Sequence, residues 1–318
     1  MVEGVRYRRL GARRPYAWSR LTYAAAASRL LRRAEYDVAA FEFSVYTPIL
    51  LPRDRPIGLV IHHVTGPTAT ERFGAVAGGV VNAIEYRMLR RAKHISLSAE
   101  WAVGQVRPRA PDAELHLVGA GVGEPFFAVE RREEDYLLFF GRLDVFQKGL
   151  DTLIEGYAAL RASRPGGATP PLLLAGRGKD AAVVERLARE HGVAAHVTQL
   201  GAVTDARRLE LLAGAKVLLM PSRFEGFGLV AAEAMAAGVP LVASSAGALP
   251  EVVDAPRGGV LVPPEDPRAL AAAVGALLDD GARRAALSAS AREAARRYRW
   301  EAVAVRHLEF LRRVAHGS

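Results

Sequence analysis

Short apolar runs alternate with helix-like patterns along this whole 318-residue chain, and that alternation restricts it to parallel α/β architecture. The second half is the more regular. Tyr136 to Phe140, Leu172 to Ala175, Val197 to Leu200, Val217 to Met220, Leu241 to Ala243 and Val260 to Val262 read as buried strands. Between the first two, Leu150, Leu153, Ile154, Tyr157 and Leu160 recur at helical spacing. Arg268 to Arg297 predicts two surface helices, and Trp300 to Val314 a last amphipathic one. In the first half, strands are expected at Val5 to Leu10, Tyr36 to Phe41, Ile57 to Ile61, Lys93 to Leu97 and Leu115 to Val118. Helices are expected over Tyr16 to Arg33, with Leu21, Leu30 and Leu31 inward, and over Arg72 to Arg91. The glycine-rich Gly119 to Gly123, followed by Pro125, reads as a hinge, dividing the chain into residues 1–125, 126–298 and a C-terminal helix at 299–318.

The stretch Pro221 to Pro240 carries the most chemistry. Pro221 ends the strand before it, Gly226 and Gly228 permit a tight turn, and the alanine-rich segment from Leu229 favours a helix until Gly238-Val239-Pro240. A strand, a glycine turn and a helix N-terminus together bring free backbone N–H groups and a positive dipole end to one spot, which suits an anion. Glu225 stands in that turn and Glu233 lies more than a turn into the helix. Carboxylates do not bind phosphate, so they suit the hydroxyl-rich parts of a ligand that also carries phosphate.

A second constellation, Gly141 to Asp151, sets Arg142 and Lys148 six residues apart in a loop between a strand end and a helix start. Arginine can fork onto phosphate oxygens, and lysine supplies a movable point charge. Ile61-His62-His63-Val64 adds histidines at a strand's carboxyl end; as a plain structural feature, such a histidine caps the strand and bonds to backbone.

The Pro221 to Pro240 string, with its two glutamates eight apart and its EAMAAG-x-P tail, resembles the Glu-x7-Glu signature of the family 4 retaining glycosyltransferases. The resemblance covers residues 136 to 300 in family order. It includes Ala175 to Gly178, Leu200 to Val203 beside the base, and Gly247 to Val253 near the donor sugar, where Ala248 replaces a frequent glycine. It implies the GT-B fold: two Rossmann-like parallel-sheet domains facing across a cleft, an acceptor-side domain over 1–125 and a nucleotide-sugar-binding domain over 126–298. It implies transfer of a hexose from a UDP- or GDP-sugar to an acceptor that is a saccharide, a lipid or a small molecule. Glu225 would hold the donor sugar, Glu233 the ribose, and Arg142 and Lys148 the leaving diphosphate. The backbone at Gly226, Phe227, Gly228 and Leu229 would meet the phosphates, and Val203 the base. His62 is the match to the family's active-site histidine, with His63 in reserve. The strand and Gly-Gly loop that usually open the family are not matched, so the first domain is expected to be shortened at its N-terminus. Two other readings fit this state: a nucleotide-sugar-binding module without transfer, and a nucleotide-sugar epimerase on the same scaffold.

Composition limits the rest. No run approaches the roughly 18–20 apolar residues of a spanning helix. The N-terminus has no signal-peptide pattern, and there is no cysteine, which fits a reducing cytoplasm. The net charge of +9 is uneven: residues 1–125 hold 18 Lys and Arg against 11 Asp and Glu. Arg6, Arg8, Arg9, Arg13, Arg14, Arg20, Arg29, Arg32 and Arg33 supply much of the excess. They form either a solvated face or a surface for anionic lipid at the inner membrane face. No nucleic-acid motif accompanies them. No Asp-x-Asp triplet occurs, so no essential metal is expected, although magnesium could travel with the donor.

Overall fold

The computed structural model describes the chain except residues 1–5, 13–15, 44–51, 53, 63, 67–68, 71–73, 165–168 and 318. Two compact units emerge: residues 1–118 with 305–318, and residues 119–304.

The first unit has a four-stranded parallel sheet in sequential order, β1 (Ala39–Glu42), β2 (Ile57–Ile61), β3 (His94–Leu97) and β4 (Glu114–Leu117). Helices Tyr16–Arg33, Ala75–Leu89 and Glu100–Val106 connect and cover it. Leu59, Ile61, Ile95 and Leu97 are almost wholly buried at its centre. The last helix, Trp300–His316, returns to this sheet from Val305 onward. Phe310 lies so close to β2 that a Cβ at Gly58 would come within 2.3 Å of its ring, so a larger residue there would have to push Phe310 aside.

Two expectations for this unit fail. Residues 6–10 form no strand, and Val5 is outside the described residues, as are Arg13, Arg14 and Arg72. Arginines at 6, 8 and 9 and a solvent-facing Tyr7 leave no alternating apolar face to bury there. In the helix Tyr16–Arg33 the inward residues are Ala24 and Ala27, whereas Leu21 is exposed beside an exposed Trp18. Alanines let that helix approach closely, and Leu30 and Leu31 are only partly covered.

The second unit is built on six parallel strands: β5 (Leu137–Phe140), β6 (Leu172–Ala175), β7 (Val197–Gly201), β8 (Val217–Met220), β9 (Leu241–Ser244) and β10 (Val260–Val262). Their order is β10-β9-β8-β5-β6-β7. The chain therefore starts at β5, winds outward to β7, then crosses back to β8 and winds outward the other way. Leu137, Leu172, Leu174, Val217 and Val242 have no exposed surface, which is why each run reads as continuously apolar. The helix Leu150–Ala162 packs on this core through Leu150, Leu153, Ile154, Tyr157 and Leu160, the residues spaced for it in the sequence. The two surface helices fall at Pro267–Asp279 and Gly281–Ala295.

Candidate nucleotide-sugar site of the second unit

In a doubly wound sheet, ligands bind outside the strand carboxyl ends at the point where the winding direction reverses. Here that point lies between β5 and β8, which pair directly. The two chemical motifs of the sequence are the segments that leave those two strands. Residues from Gly141 follow β5, and residues from Pro221 follow β8.

The short helix Val145–Lys148 is capped by Asp144, whose carboxylate accepts from the Gln147 N–H at 2.9 Å. This turn delivers Lys148 to Glu225, and the two form an ion pair with both side chains largely buried. Ser222 Oγ lies 3.4 Å from the same Glu225 oxygen. Glu225 is also fixed through its backbone: its carbonyl accepts from the Ala248 N–H at 3.0 Å. Gly247, at φ 58, packs so near that a Cβ would come within 2.1 Å of that carbonyl. The Gly247 to Glu251 loop thus lies against the sugar-binding candidate. Arg142 is exposed and donates to Gln147 Oε1 at 2.8 Å, so its guanidinium stands at the solvent edge of the same loop.

Arg223 ties the two segments together. It forks onto both Asp151 oxygens at 2.8 and 2.9 Å, reaches Glu265 at 2.6 Å, and its own N–H donates to the Gln147 carbonyl at 3.0 Å. Burial, the largest single influence, would raise the Asp151 carboxyl, but the bonds and charge of Arg223 together with the Thr152 N–H outweigh it and leave the group below its ordinary pKa. The Asp151 and Glu265 bonds push the Arg223 guanidinium up, so it stays charged.

The helix Leu229–Ala236 starts at Gly228, which is left-handed at φ 90 and offers no side-chain cap. Its first turn holds no acidic residue to offset the positive end of its dipole. Phe227 is buried edge-on against Tyr298 at 5.5 Å and pins the turn, Gly226 is half-buried, and Leu229 is exposed. Glu233 is 4% exposed and forms an ion pair with Arg208. Arg208 was not singled out in the sequence. It belongs to the helix Asp205–Gly214, and its guanidinium sits 4.5 Å from the Phe140 ring centre and 5.0 Å from that of Phe126. Burial pushes its pKa down. Its neighbour Arg207 is solvent-facing, and an Arg-Arg pair in a charged helix gives no signal as to which one turns inward. Val203 is half-buried between β7 and that helix, which Thr204 caps.

His62 lies in the first unit, at the carboxyl end of β2, exposed and 3.9 Å from Glu42. His63 is outside the described residues.

The second unit is therefore a doubly wound α/β domain whose switch point brings Lys148 and Glu225 together beside an uncapped helix N-terminus. Residues 134–280 match the family described as glycosyl transferases group 1. Over 306 residues the chain is 30% identical to the GDP-mannose-dependent alpha-(1-6)-phosphatidylinositol monomannoside mannosyltransferase of Mycobacterium tuberculosis, covering 88% of this chain and 77% of that one. A D-inositol 3-phosphate glycosyltransferase of Xylanimonas cellulosilytica is 40% identical over 177 residues, 54% of this chain. That match spans only 41% of the relative's own length. Sucrose-phosphate synthase from Thermosynechococcus elongatus superposes with a TM-score of 0.80 at 24% identity, over 93% of this chain and 78% of that one. That likeness establishes the GT-B fold. The chain belongs to the group 1 glycosyl transferases, as its Glu225 to Glu233 string implied. No helix among the described residues is long and apolar enough to cross a membrane.

Proposed function

We propose that this chain transfers a hexose from a UDP- or GDP-sugar to a saccharide, lipid or small-molecule acceptor, with retention at the anomeric carbon. The observation that carries the reading is the meeting of Lys148 and Glu225 at the β5–β8 switch point, from segments 77 residues apart. Arg142, Lys148 and the backbone from Gly226 to Leu229 bind the diphosphate and stabilise the charge that builds on it as the glycosidic bond breaks. Glu225 accepts hydrogen bonds from sugar hydroxyls, and Glu233 from the ribose. The acceptor hydroxyl attacks on the face from which the diphosphate leaves, and its proton passes to the departing phosphate oxygen. His62 is proposed to position the donor sugar or the acceptor, and Val203 to line the base.

The name of the mycobacterial relative makes GDP-mannose the first donor to test. In a melting screen of UDP- and GDP-sugars, GDP-mannose should stabilise the chain most. At a concentration of 100 Kd the gain is about 2.7 kcal/mol. A panel in which no nucleotide sugar raises the melting temperature would contradict the reading.

A further inference from the structure

The first unit carries a second polar cluster, at the amino ends of its strands and so at the opposite end of the sheet from His62. His94 opens β3 and Glu114 opens β4, and the strand register pairs them directly. His116 follows two residues after Glu114, on the same face of the pleat. The three side chains therefore converge. His94 Nδ1 lies 3.4 Å from His116 Nε2 and 3.3 Å from one Glu114 oxygen, and the other Glu114 oxygen is 3.6 Å from His116 Nε2. A tetrahedral ion with bonds of about 2.0–2.1 Å needs donor atoms about 3.3–3.4 Å apart.

We infer that His94, Glu114 and His116 form a site for a divalent cation of the zinc class. Two imidazole nitrogens and one carboxylate suit such an ion, whereas calcium and magnesium ask for oxygen ligands. The His94 and His116 side chains are 8% and 14% exposed, so little water competes for their ring nitrogens. Glu114 is half exposed and leaves a side open for a fourth ligand such as water.

Phe310 and Gly317 flank the two histidines of the cluster. Phe310 meets the His116 ring edge-on at 5.2 Å, and the backbone at Gly317 lies close enough to His94 that a Cβ there would come within 2.9 Å of Nε2. A bound ion would tie β3 to β4 beneath the C-terminal helix. Its role would be structural, separate from the phosphate-binding residues of the second unit.

Zinc titration of the metal-stripped full chain, read by calorimetry and by thermal melting, tests this. One Zn²⁺ should bind per chain and raise the melting temperature. Co²⁺ in its place should give the intense visible absorption of a four-coordinate site. Glu114→Gln, at a half-exposed position that keeps its shape, and His116→Ala should each weaken binding by at least the about 10–100-fold that outer-sphere partners are worth. The wild type failing to bind zinc would overturn the inference. So would equal binding by the wild type and a folded Glu114→Gln variant, which would assign the metal to other histidines.

Discussion

Glu225→Gln is expected to lower sugar transfer on the order of 10²-fold while leaving the affinity for GDP and UDP within a few-fold. The geometry explains why the two quantities should separate. A carboxylate near a diphosphate is unfavourable unless a cation answers it, and Lys148 does so here. Neutralising Glu225 frees Lys148 to meet phosphate, so nucleotide binding has no reason to fall. The sugar hydroxyls lose a charged acceptor at the reacting ring, so the rate does. Initial rates and nucleotide calorimetry on the same preparation check this. A proportionate loss of both would make Glu225 a scaffold residue for the loop that Gly247 packs against.

The strands of the second unit were legible to within a residue or two because a buried parallel strand must be apolar on both faces. Val217 to Met220 and Leu172 to Ala175 show this directly. In the first unit, buried alanines took the place expected of Leu21, since close helix packing favours small residues over long ones. The strand Tyr36 to Phe41 begins only at Ala39, because nothing in its composition marks where pairing with β2 starts. Glu225 and Glu233 could be read from one contiguous string. The pairings could not: Lys148, itself legible, reaches Glu225 across 77 positions, and Arg208 reaches Glu233 across 25. The His94, Glu114 and His116 cluster was invisible for the same reason, as only strand register brings those residues together.

Glu233→Ala should be the most destabilising substitution in the site. It removes the partner of a guanidinium wedged between Phe140 and Phe126, whose Nε already has no hydrogen bond among the described residues. Breaking a buried pair on one side costs about 3–5 kcal/mol, because the remaining charge stays uncompensated. The double variant Arg208→Met, Glu233→Ala should recover a good part of that loss, since Met fills the aromatic slot without a charge. Denaturant melts of the three proteins check it. A single-variant loss below about 1 kcal/mol, the range of exposed pairs, would show that the bridge contributes little.

The most direct test of the proposed nucleotide-sugar site is calorimetric titration of GDP and GDP-mannose into the wild type and into Arg142→Ala. The Arg142 side chain is exposed and bonds only to Gln147 among the described residues, so its loss should leave the fold intact. The account predicts binding by the wild type and a loss of about 1–3 kcal/mol in the variant, roughly 5- to 150-fold, for one charge-assisted phosphate contact. Affinity unchanged in a folded Arg142→Ala variant, or no binding of either nucleotide by the wild type, would contradict it.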